Sequence, residues 1–137
     1  MAAWRFRRGT CQVDQESCSN QIIGAAIEVH RTLGPGLLES AYEMALAHQL
    51  RLDGLRVLRQ PQLAVNYKGI ELPDAYRIDL LVEDLVVVEV KSIDKLQSIH
   101  TAQLLTYLRF SGKHLGLLFN FNTAALRHGM QRVVHYP

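Results

Sequence analysis

The sequence predicts an α+β domain in which helices pack on a mixed central sheet. First, residues 19–52 carry apolar side chains at helical spacing on both sides of a Gly34-Pro35-Gly36 turn. Second, residues 57–91 change to short, β-branched segments bounded by turn residues. Third, another helical stretch and further apolar strands follow, which gives the order α-α-β-β-β-β-β-α-β-β.

Length and composition restrict the class of protein. A chain of 137 residues is expected to form one domain, which we place at residues 19–137 after a disordered tail over residues 1–18. The net charge of +2 argues against a protein that coats nucleic acid. No membrane-length apolar run and no signal-peptide core are present, so we expect a cytoplasmic protein with Cys11 and Cys18 as free thiols.

Two helices are predicted before the first strand. Ser19 or Asn20 can cap the first, because their side chains accept from free backbone N–H groups, and this helix is expected to end near Leu33. The second is expected over residues 37–52, with Asp53-Gly54 at its end. The apolar residues predicted to face the core from this second helix are Leu38, Ala41, Ala45 and Leu52.

The strands follow from short apolar runs and turn signals. The predicted hairpin over residues 63–72 has Lys68-Gly69 as its two-residue loop. Residues 76–82 and 86–91 form the predicted central strand pair. The remaining elements are strands over residues 57–59, 115–121 and 131–136 and a helix over residues 98–110.

The register of the central pair determines where its charged side chains lie. Residues two apart in a strand share a face, so Glu89 and Lys91 point the same way. A two-residue loop would place Asp79 opposite Val88, whereas a three-residue or bulged loop places it opposite Glu89. We predict the longer loop, because only that register brings the carboxylates together and because Asp84 can adopt its left-handed position.

Adjacent carboxylates at this point predict a metal site. Their ionised forms repel each other and need a compensating positive charge, which a divalent cation supplies. Mg²⁺ prefers oxygen ligands, and Asp79, Glu89 and the main-chain carbonyl of Val90 would provide them beside Lys91. An ordinary ion pair between Lys91 and a carboxylate explains the same spacing, and spacing alone leaves both interpretations open.

Two flanking helices carry further candidates. Glu39 lies in the first turn of its helix, where the helix dipole favours an anion, and Tyr42 lies three residues later on the same side. Gln103 and Tyr107 project from one face of a later helix and could bind a phosphate or a base. Each of these residues, taken alone, also has an ordinary structural explanation.

The ordered set resembles a known family. Asp79, Glu89-Val90-Lys91 and Gln103-x₃-Tyr107 resemble the PD-(D/E)XK nuclease superfamily in its RecB-like arrangement, although Ile78 rather than Pro precedes Asp79. Gly36-x-x-Glu39-x-x-Tyr42 is similar to the signature of the small GxxExxY protein family, which is assigned to that superfamily. The resemblance covers about residues 21–134.

This resemblance implies a restriction-endonuclease-like core, α-β-β-β-α-β, with Mg²⁺ or Mn²⁺ and phosphodiester hydrolysis by a metal-activated water. It implies that Asp79 and Glu89 bind the metal, that Lys91 assists catalysis and that Glu39 is an accessory acid at the metal. The residues expected to bind substrate or support the site are Gln103, Tyr107 and Tyr42.

Two functional hypotheses follow. The first is a metal-dependent nuclease, with DNA favoured over RNA as its substrate. The second is a catalytically inactive module of the same fold that binds nucleic acid or a protein partner. Under either hypothesis we expect no membrane partner, and the last strand, residues 131–136, could pair two copies in a homodimer.

Overall fold

The computed structural model of the chain describes residues 14–137, and its elements follow the predicted order. The helices are α1 (Gln15–Leu33), α2 (Glu39–Leu52) and α3 (Ser98–Ser111), with a turn of 3₁₀ helix at Leu126–Gly129. The strands are β1 (Val57–Arg59), β2 (Gln62–Tyr67), β3 (Ile70–Arg77), β4 (Leu80–Val82), β5 (Val86–Lys91), β6 (Leu115–Asn120) and β7 (Met130–Val134).

The main sheet is mixed, which confirms the predicted fold class. Its strand order is β1-β4-β5-β6-β7, with β5 and β6 parallel and the other neighbours antiparallel. The crossover from β5 to β6 contains α3, as a parallel connection requires. β7 lies at one edge of this sheet. β2 and β3 form a separate hairpin whose loop is Lys68-Gly69, as predicted.

Helices cover both faces of the main sheet. α1 and α2 pack on one face, where Val86, Val88 and Val90 point into the larger apolar core. α3 packs on the opposite face, where Leu104 and Leu108 meet a second core. Because side chains alternate along β5, Val87 belongs to this second core, and Glu89 and Lys91 lie on the α3 face.

β4 pairs with β1 and β3 pairs with β2, and the two antiparallel pairs form one ladder that is interrupted by a kink. Arg59 lies opposite Leu80 in the main sheet, and Gln62 lies opposite Arg77 in the hairpin, so both parts keep the same register. Between them Gln60 lies opposite Asp79, and its backbone N–H donates to the Asp79 carbonyl at 2.8 Å. The predicted continuous strand over residues 76–82 is therefore wrong, because the chain leaves the sheet at this kink. Pro61, which has no N–H, interrupts the ladder there.

The start of α1 also differs from the prediction. The helix begins at Gln15 rather than after Ser19 or Asn20, and Asp14 caps it by accepting from the Ser17 N–H at 2.7 Å. Residues 15–18 are thus helical rather than part of a tail, because Cys18 is fully buried in the larger core. The remainder of the predicted tail, residues 1–13 with Cys11, lies outside the described residues.

The predicted inner stripe of α2 is correct for Ala45, which packs against the larger core, and wrong at both of its ends. Leu38 precedes the helix and is 77% exposed, and Leu52 is 66% exposed. The helix is rotated relative to the prediction so that a different set of side chains faces the core. These buried side chains are Tyr42, Glu43, Leu46, Ala47 and Leu50.

Candidate active site

An acid pair lies where β4 and β5 end at the kink. Leu80 pairs with Val88 and Val82 with Val86, so the next opposed residues are Asp79 and Glu89. The turn between the strands is the three-residue loop that this register requires. Glu83 and Asp84 both have positive φ, 53° and 54°, which suits the right-handed twist of a hairpin. The predicted register is confirmed.

The backbone holds the two carboxyl groups together. The Asp79 N–H donates to Oε1 of Glu89 at 3.1 Å, and the Val90 N–H donates to Oδ2 of Asp79 at 2.8 Å. Each carboxyl group therefore accepts, through one oxygen, a backbone hydrogen bond from the strand that carries the other carboxyl group. This reciprocal arrangement leaves Oδ1 of Asp79 and Oε2 of Glu89 without a backbone donor in the part of the chain that the structure describes.

Burial raises the pKa of both carboxyl groups. Glu89 is 4% exposed. Its burial, together with the negative charge of Asp79, raises its pKa to about 9. Burial is also the largest cause for Asp79, whose pKa rises to about 6 although its hydrogen bond from Val90 opposes the rise. At neutral pH the pair therefore holds one proton between two carboxyl groups.

Lys91 provides a positive charge next to this pair. It follows Glu89 by two residues on the same strand face, and its charge lowers the pKa of both carboxyl groups. Within residues 14–137 it forms no salt bridge; the ion-pair explanation for the spacing is therefore wrong for this structure. Its ammonium group is available to an anionic ligand.

The start of α2 and Asp79 both line an open pocket. Its volume of about 390 Å³ is within the usual size of a small-ligand site. Glu39 faces this pocket, and its Oε1 accepts from the Ser92 N–H at 3.3 Å. The Ser92 hydroxyl donates to the Leu37 carbonyl at 2.6 Å, so the residue after Lys91 ties β5 to α2. The residues that line the pocket are Leu38, Glu39, Ser40, Glu43, Gln60, Arg77, Asp79 and Val90.

Glu43 is a site residue that the sequence analysis missed. It is 4% exposed, lines the same pocket, and its negative charge contributes to the raised pKa of Asp79. Arg59 and the Gln60 side chain both donate to its Oε2 at 2.9 Å. Its spacing of four residues from Glu39 was the available signal, because residues four apart share a helix face. Glu43 was not predicted because the expected core-facing stripe of α2 did not include it.

Tyr42 supports the site and does not enter the pocket. Its side chain is fully buried and stacks on Phe121 with ring centroids 4.6 Å apart. Its hydroxyl donates to the Gly34 carbonyl and accepts from the Leu37 N–H at 3.1 Å. These bonds close the turn between α1 and α2, and the turn sets where Glu39 begins its helix.

Tyr107 and Gln103 occupy different environments on α3. Tyr107 is half-buried and stacks on Tyr76 at 5.3 Å. Burial raises the pKa of its phenol, and the charges of Glu89 and Asp79 add to the rise, so the ring is close to the acid pair. Gln103 is exposed, and within residues 14–137 it has no hydrogen-bond partner and is not part of the pocket.

The acid pair has the donor set of a hard divalent cation. Both side chains offer carboxylate oxygens, and because burial and mutual repulsion raise the pKa of Glu89, a positive charge beside the pair would favour its ionised form. Among residues 14–137, no group of three His, Cys, Asp or Glu side chains is arranged to hold a metal ion. A cation bound here would therefore complete its coordination with water or substrate oxygens, as Mg²⁺ commonly does.

A comparison with protein families identifies the superfamily of the chain. The family model of the PD-(D/E)XK nuclease superfamily matches residues 16–133, so the chain belongs to that superfamily. Its members are nucleases that act on nucleic acid and typically use divalent metals. Neither the curated proteins nor the solved structures contain a match to the chain. Among the described residues, no helix is both long and apolar enough to span a bilayer.

Proposed function

We propose that the chain is a metal-dependent nuclease that hydrolyses phosphodiester bonds, with DNA as a better substrate than RNA. The observation that carries this proposal is the acid pair of Asp79 and Glu89, joined by reciprocal backbone hydrogen bonds beside an open pocket that Asp79 lines, in a member of a nuclease superfamily. We also propose that the chain belongs with the GxxExxY proteins and the RecB-like arrangement, because Tyr42 closes, through Gly34 and Leu37, the turn after which Glu39 begins α2.

Asp79, Glu89 and the main-chain carbonyl of Val90 would hold the cation, Mg²⁺ or Mn²⁺. When bound, the cation supplies Lewis acidity and neutralises charge on a phosphate oxygen. The carboxyl groups must lose their shared proton to act as ligands, so cation binding is coupled to proton release. Glu39 is the accessory acid of the pocket, and its bond to the Ser92 N–H fixes it toward the end of β5.

Lys91 would contact the scissile phosphate. It has no carboxylate partner among the described residues and lies on the strand face of Glu89. A lysine ammonium is a compact donor that can stabilise charge developing on a phosphoryl group. Arg77, which is exposed and lines the pocket beside Asp79, offers a second cation for the substrate backbone.

Tyr107 and Gln103 would support the site from α3. The Tyr107 ring, fixed by stacking on Tyr76, borders the acid pair and restricts access of water on that side. Gln103, one helical turn earlier on the same face, is exposed and can reach a bound nucleic acid.

Cleavage assays on single-stranded and double-stranded DNA and RNA test this function. With Mg²⁺ or Mn²⁺ the wild type should cut DNA, and Glu89→Gln and Lys91→Ala should each reduce kcat by about 10²-fold or more. Lys95→Ala and Glu71→Gln are matched controls, because both side chains are exposed outside the pocket, and they should cleave like the wild type. An inactive wild type, or active Glu89 and Lys91 variants, would contradict the proposal.

The second candidate is a catalytically inactive module that binds nucleic acid or a protein. The observation in its favour is that no third acidic or histidine ligand joins the pair among residues 14–137. Such a module would bind DNA with a steep salt dependence and without need of a cation. Calorimetry with Mn²⁺ separates the two functions, since only the nuclease should show binding that Asp79→Asn abolishes.

We also propose a cytoplasmic location and a homodimer. The buried thiol of Cys18, whose pKa is raised to about 12 by burial, suits a protein of the reducing cytoplasm. The edge position of β7 suits a homodimer formed by strand pairing, which light scattering of the purified chain would detect.

A further inference from the structure

Gln60 has an unusual backbone conformation at the kink beside the acid pair. Its φ is +52°, a left-handed value that is strained for an L-residue. It also precedes Pro61, and the residue before a proline is normally held in an extended conformation. Backbone strain of this kind persists only where the surrounding structure enforces it, and it is concentrated at functional sites.

The contacts of Gln60 show what this conformation achieves. Its backbone N–H donates to the Asp79 carbonyl at 2.8 Å, and its side-chain amide donates to Oε2 of Glu43 at 2.9 Å. One residue thus binds the main chain of one acid and the side chain of another, across the pocket that all three line. An extended Gln60 would continue the β1 ladder and would direct its side chain differently.

We propose that Gln60 is a positioning residue for the proposed nuclease reaction: its left-handed backbone fixes Asp79 and Glu43 relative to each other at the pocket. This inference rests on the proposed function for its catalytic consequence. The positioning itself can be measured without catalysis, from the hydrogen bonds that hold the acid pair. The Asp79 N–H and the Val90 N–H donate to the two carboxyl groups, and their exchange with solvent measures how firmly the pair is held.

The test compares Gln60→Gly with Lys68→Gly in the full chain. Glycine adopts positive φ without strain, and Lys68 has φ +47° at the tip of the β2–β3 hairpin, so both variants relieve the same kind of backbone strain. Urea denaturation, amide hydrogen exchange and cleavage kinetics are measured on each. Gln60→Met, which keeps the side-chain length but lacks the amide donor, separates the side-chain bond from the backbone effect.

We expect Gln60→Gly to keep a denaturation midpoint close to that of the wild type, because strain relief offsets the lost side-chain bond. The Asp79 and Val90 amides should exchange about tenfold faster or more, and kcat should fall about tenfold with a much smaller change in KM. Gln60→Met should show a smaller effect in the same direction. Lys68→Gly should leave both amides and the kinetics unchanged.

The outcomes separate this inference from the proposed function. Unchanged exchange at Asp79 and Val90 in Gln60→Gly overturns the positioning role, as does an equal acceleration of all core amides with a lower midpoint. Faster local exchange in a protein whose wild type does not cleave retains the positioning of the acids and removes the nuclease function. Faster local exchange with unchanged kcat in an active enzyme overturns the catalytic consequence and, with it, the inference.

Discussion

Replacing Glu89 by glutamine should remove most of the decline of the protein's stability with rising pH. In the unfolded chain this carboxyl group has an ordinary pKa of 4.5, whereas burial raises it to about 9 in the folded protein. Between these values the folded state keeps a proton that the unfolded state has released. The free energy of unfolding therefore falls as pH rises from about 5 to about 9, because the folded state binds more protons.

The size of the effect follows from proton linkage. One proton of difference changes the free energy of unfolding by about 1.4 kcal/mol per pH unit, so full linkage between pH 5 and pH 8 amounts to about 4 kcal/mol. Asp79, whose pKa is raised from 3.8 to about 6, adds to the decline at the acid end of this range. Glu89→Gln keeps an oxygen for the Asp79 N–H and removes the ionising group. It should match the wild type near pH 5 and exceed its stability by several kcal/mol at pH 8.

The assay is urea denaturation followed by far-UV circular dichroism at several pH values in the presence of EDTA. Glu71→Gln, on the exposed surface of the hairpin, is the matched control and should follow the wild-type profile. Mn²⁺ at 100 times its dissociation constant should then stabilise the wild type by about 2.7 kcal/mol at pH 8, since it binds only the folded state. A flat wild-type profile, or the same slope in Glu89→Gln, would refute the description of Glu89 as a buried, protonated acid.

Three further substitutions test the support of the site. Tyr42→Phe removes both hydrogen bonds that close the turn before α2, so the free energy of unfolding should fall by about 1–3 kcal/mol in denaturant titrations. Asn120→Leu removes the acceptor of the Ile93 N–H, while the Ile93 C=O keeps the Asn122 amide as a donor, and a loss of about 1–3 kcal/mol should follow in denaturation assays. Gly129→Ala would place a Cβ 2.4 Å from the Asn120 carbonyl oxygen, a backbone atom that cannot move aside; calorimetry should show a loss of about 2 kcal/mol or more. Full stability in any of these variants would contradict the corresponding contact.

The sequence was sufficient for the parts of the site that lie on regular strands. The period of a strand is two, so the loop length between Asp79 and Glu89 decides whether the two residues share a face. The observed pairing of Leu80 with Val88 confirms that count. A one-residue slip would reverse the faces of β5 and separate the two carboxyl groups, and the longer loop was predicted because it alone brings them together.

The rotation of α2 could not be predicted in the same way. Apolar and small residues occur around much of that helix, so several stripes satisfy a period of 3.6. Tertiary contacts selected the stripe that contains Tyr42 and Glu43, and the burial of Glu43 depends on donors from Arg59 and Gln60 that are distant in sequence. The kink at Gln60 could not be predicted either. A residue before proline normally prefers an extended backbone, whereas Gln60 adopts a left-handed one.

Two independent costs to the folded protein meet in this one pocket. Glu89 is buried at the end of a valine strand beside the half-buried Asp79, where an apolar pair of similar volume would be more stable at neutral pH. The Gln60 backbone is strained, and a glycine there would not be. Neither cost strengthens the two apolar cores, and both act on the same carboxyl groups. Removing either one should therefore leave a protein that is at least as stable at pH 8 and less able to cut. A scaffold whose acids were only structural would show the first of these effects without the second.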